Sequence, residues 1–240
     1  MPTPVNIEKA LADLRVGRFC LIYDNDKRER ETDLVIASRF VDHDAVRRLR
    51  KDAGGLICTT VPYFFHERIC MPFLTDLYKM AEGKYAVLSA LVANDIPYDA
   101  KSSFSLTINH RKTFTGITDR DRALTISEFA KILERSEKAT SEAVVADFGK
   151  NFRTPGHVPL LNTSKDLLTT REGHTELATA MIIMAGLPPS ATICEMMGDD
   201  GNALPKAETS KYAEKHDLAF LTGAEVINAW KAYGERKSKI

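Results

Sequence analysis

The chain of 240 residues carries 33 Lys and Arg against 33 Asp and Glu, with 44% hydrophobic and 28% charged residues. This composition excludes a disordered or membrane-embedded chain and supplies apolar side chains for one large core. The zero net charge argues against a globally basic nucleic-acid binder or a ligand of anionic membranes, yet it leaves local clusters open. Four cysteines are dispersed without a Cys-x-x-Cys pair, and Cys20, Cys58 and Cys194 lie in apolar runs. Buried, reduced thiols are the ordinary reading of such positions and fit the cytoplasm. Residues 1–9 lack a basic head and an apolar signal core, and no apolar run nears the ~20 residues of a membrane span. A soluble intracellular protein is expected.

Ile7, Ala10, Leu11 and Leu14 recur at helical spacing, with Gly17 as the stop. Apolar runs over 19–23 and 34–37 read as short strands, and 41–51 reads as a helix. Gly54-Gly55 then leads into the apolar run 56–60, and 103–108 alternates like a strand. Thr125-Ile126-Ser127-Glu128 has the form of a capping box before Phe129, Ile132 and Leu133. Residues 151–159, with Pro155-Gly156, read as an ordered loop. A helix over 174–185 ends at Gly186 and Pro188, and 191–194 reads as a buried strand before the turn Asp199-Asp200-Gly201. The last helix, 224–233, places Val226, Ile227 and Trp230 on one face. Strands and helices mix without regular βαβ alternation. The expected fold is therefore a single α+β domain with a mixed, twisted sheet flanked by helices.

Four constellations have chemical potential. Residues 24–33 hold five carboxylates and three basic side chains between two strands. A solvated turn is the plain reading of this run. A calcium loop fits poorly, because Arg28 stands at a ligand position and the turn glycine is absent. A hard-cation site with arginines for an anionic substrate is the functional reading. Arg171-Glu172-Gly173-His174-Thr175-Glu176 opens a helix, whose amides and dipole favour phosphate, although a simple capping segment is the alternative. The turn of Pro155-Gly156 fixes His157 as a potential proton carrier. Glu195 follows an apolar run at a strand end, where partial desolvation suits an acid or base. Glycine-rich nucleotide loops, a Gly-x-Ser-x-Gly elbow and a His-Glu-x-x-His pair are all missing.

Together these strings resemble the 3,4-dihydroxy-2-butanone-4-phosphate synthase family over nearly the whole chain. The resemblance rests on Asp24 or Asp26 leading into Arg28-Glu29-Arg30-Glu31-Thr32-Asp33, then Gly55-Leu56-Ile57-Cys58, Thr115-Gly116-Ile117 and Asp121-Arg122-Ala123 with Thr125. Pro155-Gly156-His157, Arg171 with Gly173-His174-Thr175-Glu176, and Cys194-Glu195 with Asp200-Gly201 follow in the family's order. Thr32 in place of a glycine, and Val158-Pro159-Leu160-Leu161 after the histidine, look like the archaeal-type variant.

The resemblance implies a lyase of riboflavin biosynthesis that turns D-ribulose 5-phosphate into L-3,4-dihydroxy-2-butanone 4-phosphate and formate. It implies Mg2+ or Mn2+, two ions per site, and no organic cofactor. Glu29 and His174 carry over as metal ligands. Arg28, Glu29, Asp33, Arg171, Glu172, Gly173, His174, Thr175 and Glu195 carry over as substrate contacts. His157 and Glu195 correspond to the positions essential for catalysis, with Glu31 or Asp33 expected to position or deprotonate the sugar. A homodimer with sites at the subunit interface is implied, without nucleic-acid or membrane partners. The chain ends near Ile240, so one synthase domain over 1–240 is expected, without a fused GTP cyclohydrolase II domain.

Overall fold

The computed structural model describes residues 5–237. Its first part runs α1 (Val5–Arg15), β1 (Cys20–Tyr23), β2 (Thr32–Ala37) and α2 (His43–Arg48), which passes into a π-helical turn (Leu49–Ala53). Next come β3 (Cys58–Val61) and the short helices α3 (Tyr63–Arg68), α4 (Leu74–Ala81) and α5 (Ala86–Ala90). The centre holds β4 (Phe104–His110), α6 (Asp119–Ser136), α7 (Ser141–Asn151) and β5 (Phe152–Asn162). The chain finishes with α8 (His174–Met184), β6 (Ala191–Glu195), α9 (Lys206–Lys215), β7 (Ala219–Thr222) and α10 (Gly223–Lys237).

The strands form one seven-stranded sheet in the order β4-β5-β3-β6-β2-β1-β7. The pairs β1/β7 and β3/β5 are parallel and the other four are antiparallel, so the sheet is mixed as expected. Its central strands read as continuous apolar runs because helices cover both faces. Leu21, Leu34, Ile36 and Cys194 face a layer containing α2 and α6, with Phe65, Phe129 and Ile132 at its centre. Cys20, Ile22, Val35, Ala37 and Ile193 face the opposite layer, built from α1, α8 and α10. Each large side chain buried this way contributes roughly 1.5–3 kcal/mol. Alternation along β2 and β6 therefore assigns every second residue to the α8 side. That assignment governs where Asp33 and Glu195 point.

Two local expectations are corrected. Helix α6 begins at Asp119, where the Thr118 side chain accepts the Asp121 N–H at 3.2 Å. The Thr125 hydroxyl is not a cap: it donates to the Asp121 carbonyl at 2.9 Å and accepts the His110 N–H at 3.0 Å. Tertiary pairing with β4 uses the group that the local pattern assigned to a helix start. Residues 152–159, expected as loop, belong to β5, whose register against β4 breaks between Ile108 and Asn109. Val158 pairs with Ile108 and Arg153 with Asn109, so 154–157 bulge from an otherwise continuous strand.

His66 on α3 is buried, its Nε2 lies 2.9 Å from the Thr163 carbonyl, and Tyr63 and Phe73 meet its ring edge-on. Burial lowers its pKa below 6.5, only partly opposed by the Thr163 hydrogen bond. The unfolded chain binds this proton more readily, so the stability held by neutral His66 is present above pH 6.5 and is lost as pH falls towards the folded pKa. Because His174 and the raised carboxyls of the cavity gain stability on acidification, the His66 effect is read as a difference. From about pH 7.5 to about pH 5 the Tm of the wild type should fall more, or rise less, than that of His66→Gln, by a slope of up to about one proton. Equal slopes in the two proteins would contradict this assignment.

Candidate active site

Asp24, at the end of β1, organises the acidic loop. Its buried carboxylate accepts the Glu29 N–H at 2.8 Å and the Glu31 N–H at 3.2 Å. Arg30 between them takes the left-handed conformation (φ 61°), is exposed, and donates from Nε to the Asp26 carbonyl at 2.9 Å. Glu29 and Glu31 consequently line one cavity of about 300 Å3 on the α8 side of the sheet. Asp33 and Glu195 join them through strand register, since they are direct antiparallel partners on β2 and β6. Glu195 is fixed from a third strand's approach: its Oε2 accepts the Leu56 N–H at 2.8 Å, and the Gly55 N–H donates to its carbonyl at 3.0 Å. A Cβ on Gly55 would lie 2.3 Å from Glu195 Oε2, so only glycine leaves this carboxylate its place.

His174, the first residue of α8, closes the group. Its Nδ1 lies 3.0 Å from Glu29 Oε2, while its Nε2 lies 3.3 Å from the Glu31 carbonyl and 3.7 Å from Asp33 Oδ1. Burial disfavours the imidazolium, yet Asp33, Glu29 and Asp24 outweigh it and push the pKa up to about 10. Burial raises the Glu29 carboxyl, and the His174 hydrogen bond and charge more than reverse this, leaving it below the usual Glu value. Asp33 goes the other way: burial, aided by the Glu195, Glu29 and Glu31 charges, lifts it well above the ordinary Asp value despite His174. Glu31 is raised by burial and by Glu29 and Glu195. One cluster thus holds carboxyls tuned in opposite directions, the arrangement that separates proton donors from acceptors.

The cationic side of the cavity comes from Arg171 and Arg28. Arg171 Nη1 donates to Glu176 Oε2 at 2.5 Å, and the buried Glu176 accepts the Ser164 N–H on its other oxygen at 2.9 Å. A Cβ on Gly173 would come within 2.2 Å of Arg171 Nη1, so the glycine leaves room for the guanidinium to fold back. Gly173 also caps α8 without a side-chain hydrogen bond, which keeps the positive helix end open to an anion. Arg28 Nη2 lies 2.9 Å from Asp99 Oδ2, and Arg171 Nε lies 2.7 Å from the same oxygen.

The residues singled out from the sequence divide into two places. Glu29, Glu31, Asp33, Arg171, His174, Thr175 and Glu195 line the cavity, and Arg28 stands beside it through Asp99. Gly173 shapes Arg171, whereas Glu172 is exposed. His157 is outside: it is exposed on β5, its N–H donates to Asn109 Oδ1 at 2.8 Å, and its Nδ1 lies 3.1 Å from Asn109 Nδ2. Sequence reading missed Asp99 and Tyr98, which reach the cavity from a segment without periodicity, and treated Cys58 only as a core thiol although it forms part of the cavity wall. It also missed Asn109, whose contact with His157 arises only from the β4/β5 pairing.

Residues 8–229 match the sequence profile of the family described as 3,4-dihydroxy-2-butanone 4-phosphate synthase. The protein of that name from Methanothermobacter thermautotrophicus is 47% identical over 234 residues, covering 97% of this chain and 99% of the relative. Among solved structures, a two-domain 3,4-dihydroxy-2-butanone 4-phosphate synthase from A. baumannii, RibBX, superposes with TM-score 0.72 at 26% identity, covering 92% of this chain and 56% of that one. A 3,4-dihydroxy-2-butanone 4-phosphate synthase in complex with two magnesium ions shares the fold at TM-score 0.71 and 22% identity, over 95% of this chain and 96% of that one. The acidic loop, the Asp33–Glu195 pair and the His174 helix start thus stand in a chain that belongs to the 3,4-dihydroxy-2-butanone 4-phosphate synthase family.

Proposed function

We propose that the cavity converts D-ribulose 5-phosphate into L-3,4-dihydroxy-2-butanone 4-phosphate and formate, a step of riboflavin biosynthesis in the cytoplasm. The observation that supports this most directly is the register pair Asp33–Glu195, which joins Glu29, Glu31 and His174 in one cavity rimmed by arginine. The donor set fits a divalent cation. Oxygen or nitrogen atoms of Asp24, Glu29 and His174 lie within 4.8 Å of one another, and the buried Asp33 Oδ1 has no hydrogen-bond partner among the described residues. Both Asp24 oxygens already hold backbone amides, so Glu29 and His174 are the ligands and Asp24 orients the loop that presents Glu29. Magnesium or manganese, two ions per site, suits this oxygen-rich set. Such ions supply Lewis-acid stabilisation of charge developing on adjacent sugar oxygens.

The remaining groups bind and move protons. Arg171, the open end of α8 and Thr175 receive the phosphate, and Arg28 adds a second cation. Asp33 and Glu31, both with raised proton affinity, abstract protons from the sugar carbons and hydroxyls during enolisation. Glu195, held by the Leu56 amide, serves the later transfers that accompany water loss, skeletal shift, re-addition of water and formate release.

His157 completes the site from a second copy of the chain in a homodimer. Its position outside the cavity of its own chain supports this, as does the 95% exposure of Phe114 in the neighbouring loop, an apolar side chain that a subunit contact would bury. A metal-dependent pentose-phosphate isomerase would use similar enediol chemistry but release no formate.

The discriminating measurement is formate release from ribulose 5-phosphate with magnesium, with and without EDTA. Metal-dependent formate supports the lyase, and pentose interconversion without formate rejects it. Glu29→Gln and His174→Ala should abolish turnover through loss of metal, seen as weakened magnesium or manganese binding in calorimetry; near-native activity in either would remove them as ligands. Glu195→Gln should lower kcat on the order of 10²–10⁴-fold while substrate binding persists. Co-expressed His157→Ala and Glu195→Gln chains should regain about one quarter of wild-type activity, because half of randomly assorted dimers contain one intact shared site. No recovery in the mixture would place both residues in one subunit's site.

A further inference from the structure

The two arginines assigned to the phosphate already have an anionic occupant. Asp99 Oδ2 accepts from Arg28 Nη2 at 2.9 Å and from Arg171 Nε at 2.7 Å. Arg171 is also engaged by buried Glu176, so its charge is compensated twice before any ligand arrives. Asp99 belongs to the irregular segment between α5 and β4, whose neighbours Ile96, Tyr98 and Lys101 form part of the cavity wall. The same segment grips Arg28 a second time, through the Tyr98 carbonyl at 3.2 Å and the Tyr98 ring at 5.7 Å. Asp99 itself stays ionised: burial raises it, but the Arg28 and Arg171 contacts bring its pKa below the usual Asp value.

We infer that Asp99 is a built-in competitor for the phosphate subsite, a specificity-determining carboxylate that an incoming dianion must displace from Arg28 and Arg171. The inference rests on the phosphate placement proposed above. A phosphate offers three acceptor oxygens and nearly two charges, whereas the resident carboxylate offers one charge. An uncharged sugar has nothing to exchange for the carboxylate and leaves the arginines occupied. Displacement also frees the 96–101 wall from Arg28, which couples phosphate capture to rearrangement of that segment.

The test uses inorganic phosphate as the probe, by calorimetry at fixed ionic strength, on the full chain. Asp99→Asn keeps the shape and removes the charge, and should bind phosphate on the order of tenfold more tightly than wild type. Asp99→Ala should behave alike, which guards against an effect of the new amide. Asp95→Asn removes an equal charge from an exposed position in the same segment and should change affinity less than twofold. Unchanged or weaker phosphate binding in both Asp99 variants would overturn the inference and make Asp99 a clamp that builds the subsite. An equal gain in Asp95→Asn would overturn it too, as a general charge effect. Formate release by the wild type, measured alongside, separates failure of the competitor from failure of the proposed reaction.

Discussion

The pairing of β2 with β6 is the constraint on which the site depends. It places Asp33 opposite Glu195 while Val35 and Ile193 continue the same face into the core under α8. A slip of either strand by one residue would turn its own carboxylate, Asp33 or Glu195, towards the α2/α6 layer and carry Leu34 or Cys194 to the wrong side. The apolar residues thus enforce the position of the charged ones. Burial of Leu34, Val35, Ile36 and Ile193 supplies the free energy that holds two carboxylates in partly desolvated positions.

His174 shows the converse dependence. An imidazole of 6% exposure would ordinarily be neutral, yet Glu29 on Nδ1 and Asp33 near Nε2 keep it charged. In the proposed metal-bound form a divalent ion would replace that proton as the compensating charge, and the same carboxylates would serve both forms. The zero net charge of the chain hides this unevenness. Five ionisable groups of the acidic loop, β2, β6 and α8 meet at one end of the sheet, where Arg171 also lines the cavity and Arg28 stands beside it through Asp99.

Much of this was legible in the sequence because it is local. The run from Arg28 to Asp33, the Arg171–Glu176 helix start and the glycine pair before Leu56 each place chemistry within a few residues of a strand or helix end. The strands β1, β2 and β6 were equally readable, since short apolar runs stand out between charged segments, whereas β3 stood out only as an apolar run. The α3, α4 and α5 helices were not assigned from sequence. Their short lengths and, in α4 and α5, the lack of any buried residue leave no periodic signature to detect. Thr125 misled for a related reason: its hydroxyl obeys β4, 15 positions away, and not the helix start its neighbours imply.

The sequence by itself determined the residue types of the chemistry, the two-faced burial of the central strands and the family to which the chain belongs. Tertiary structure decided which carboxylates are high in proton affinity and which are low, because that depends on burial and on charges far apart in the chain. It alone brought Asp99 to Arg28 across 71 positions, Cys58 to the cavity wall and Asn109 to His157, and it kept His157 out of its own chain's cavity. Local patterns record spacing along the backbone, whereas desolvation and Coulomb interactions are set by distances in space.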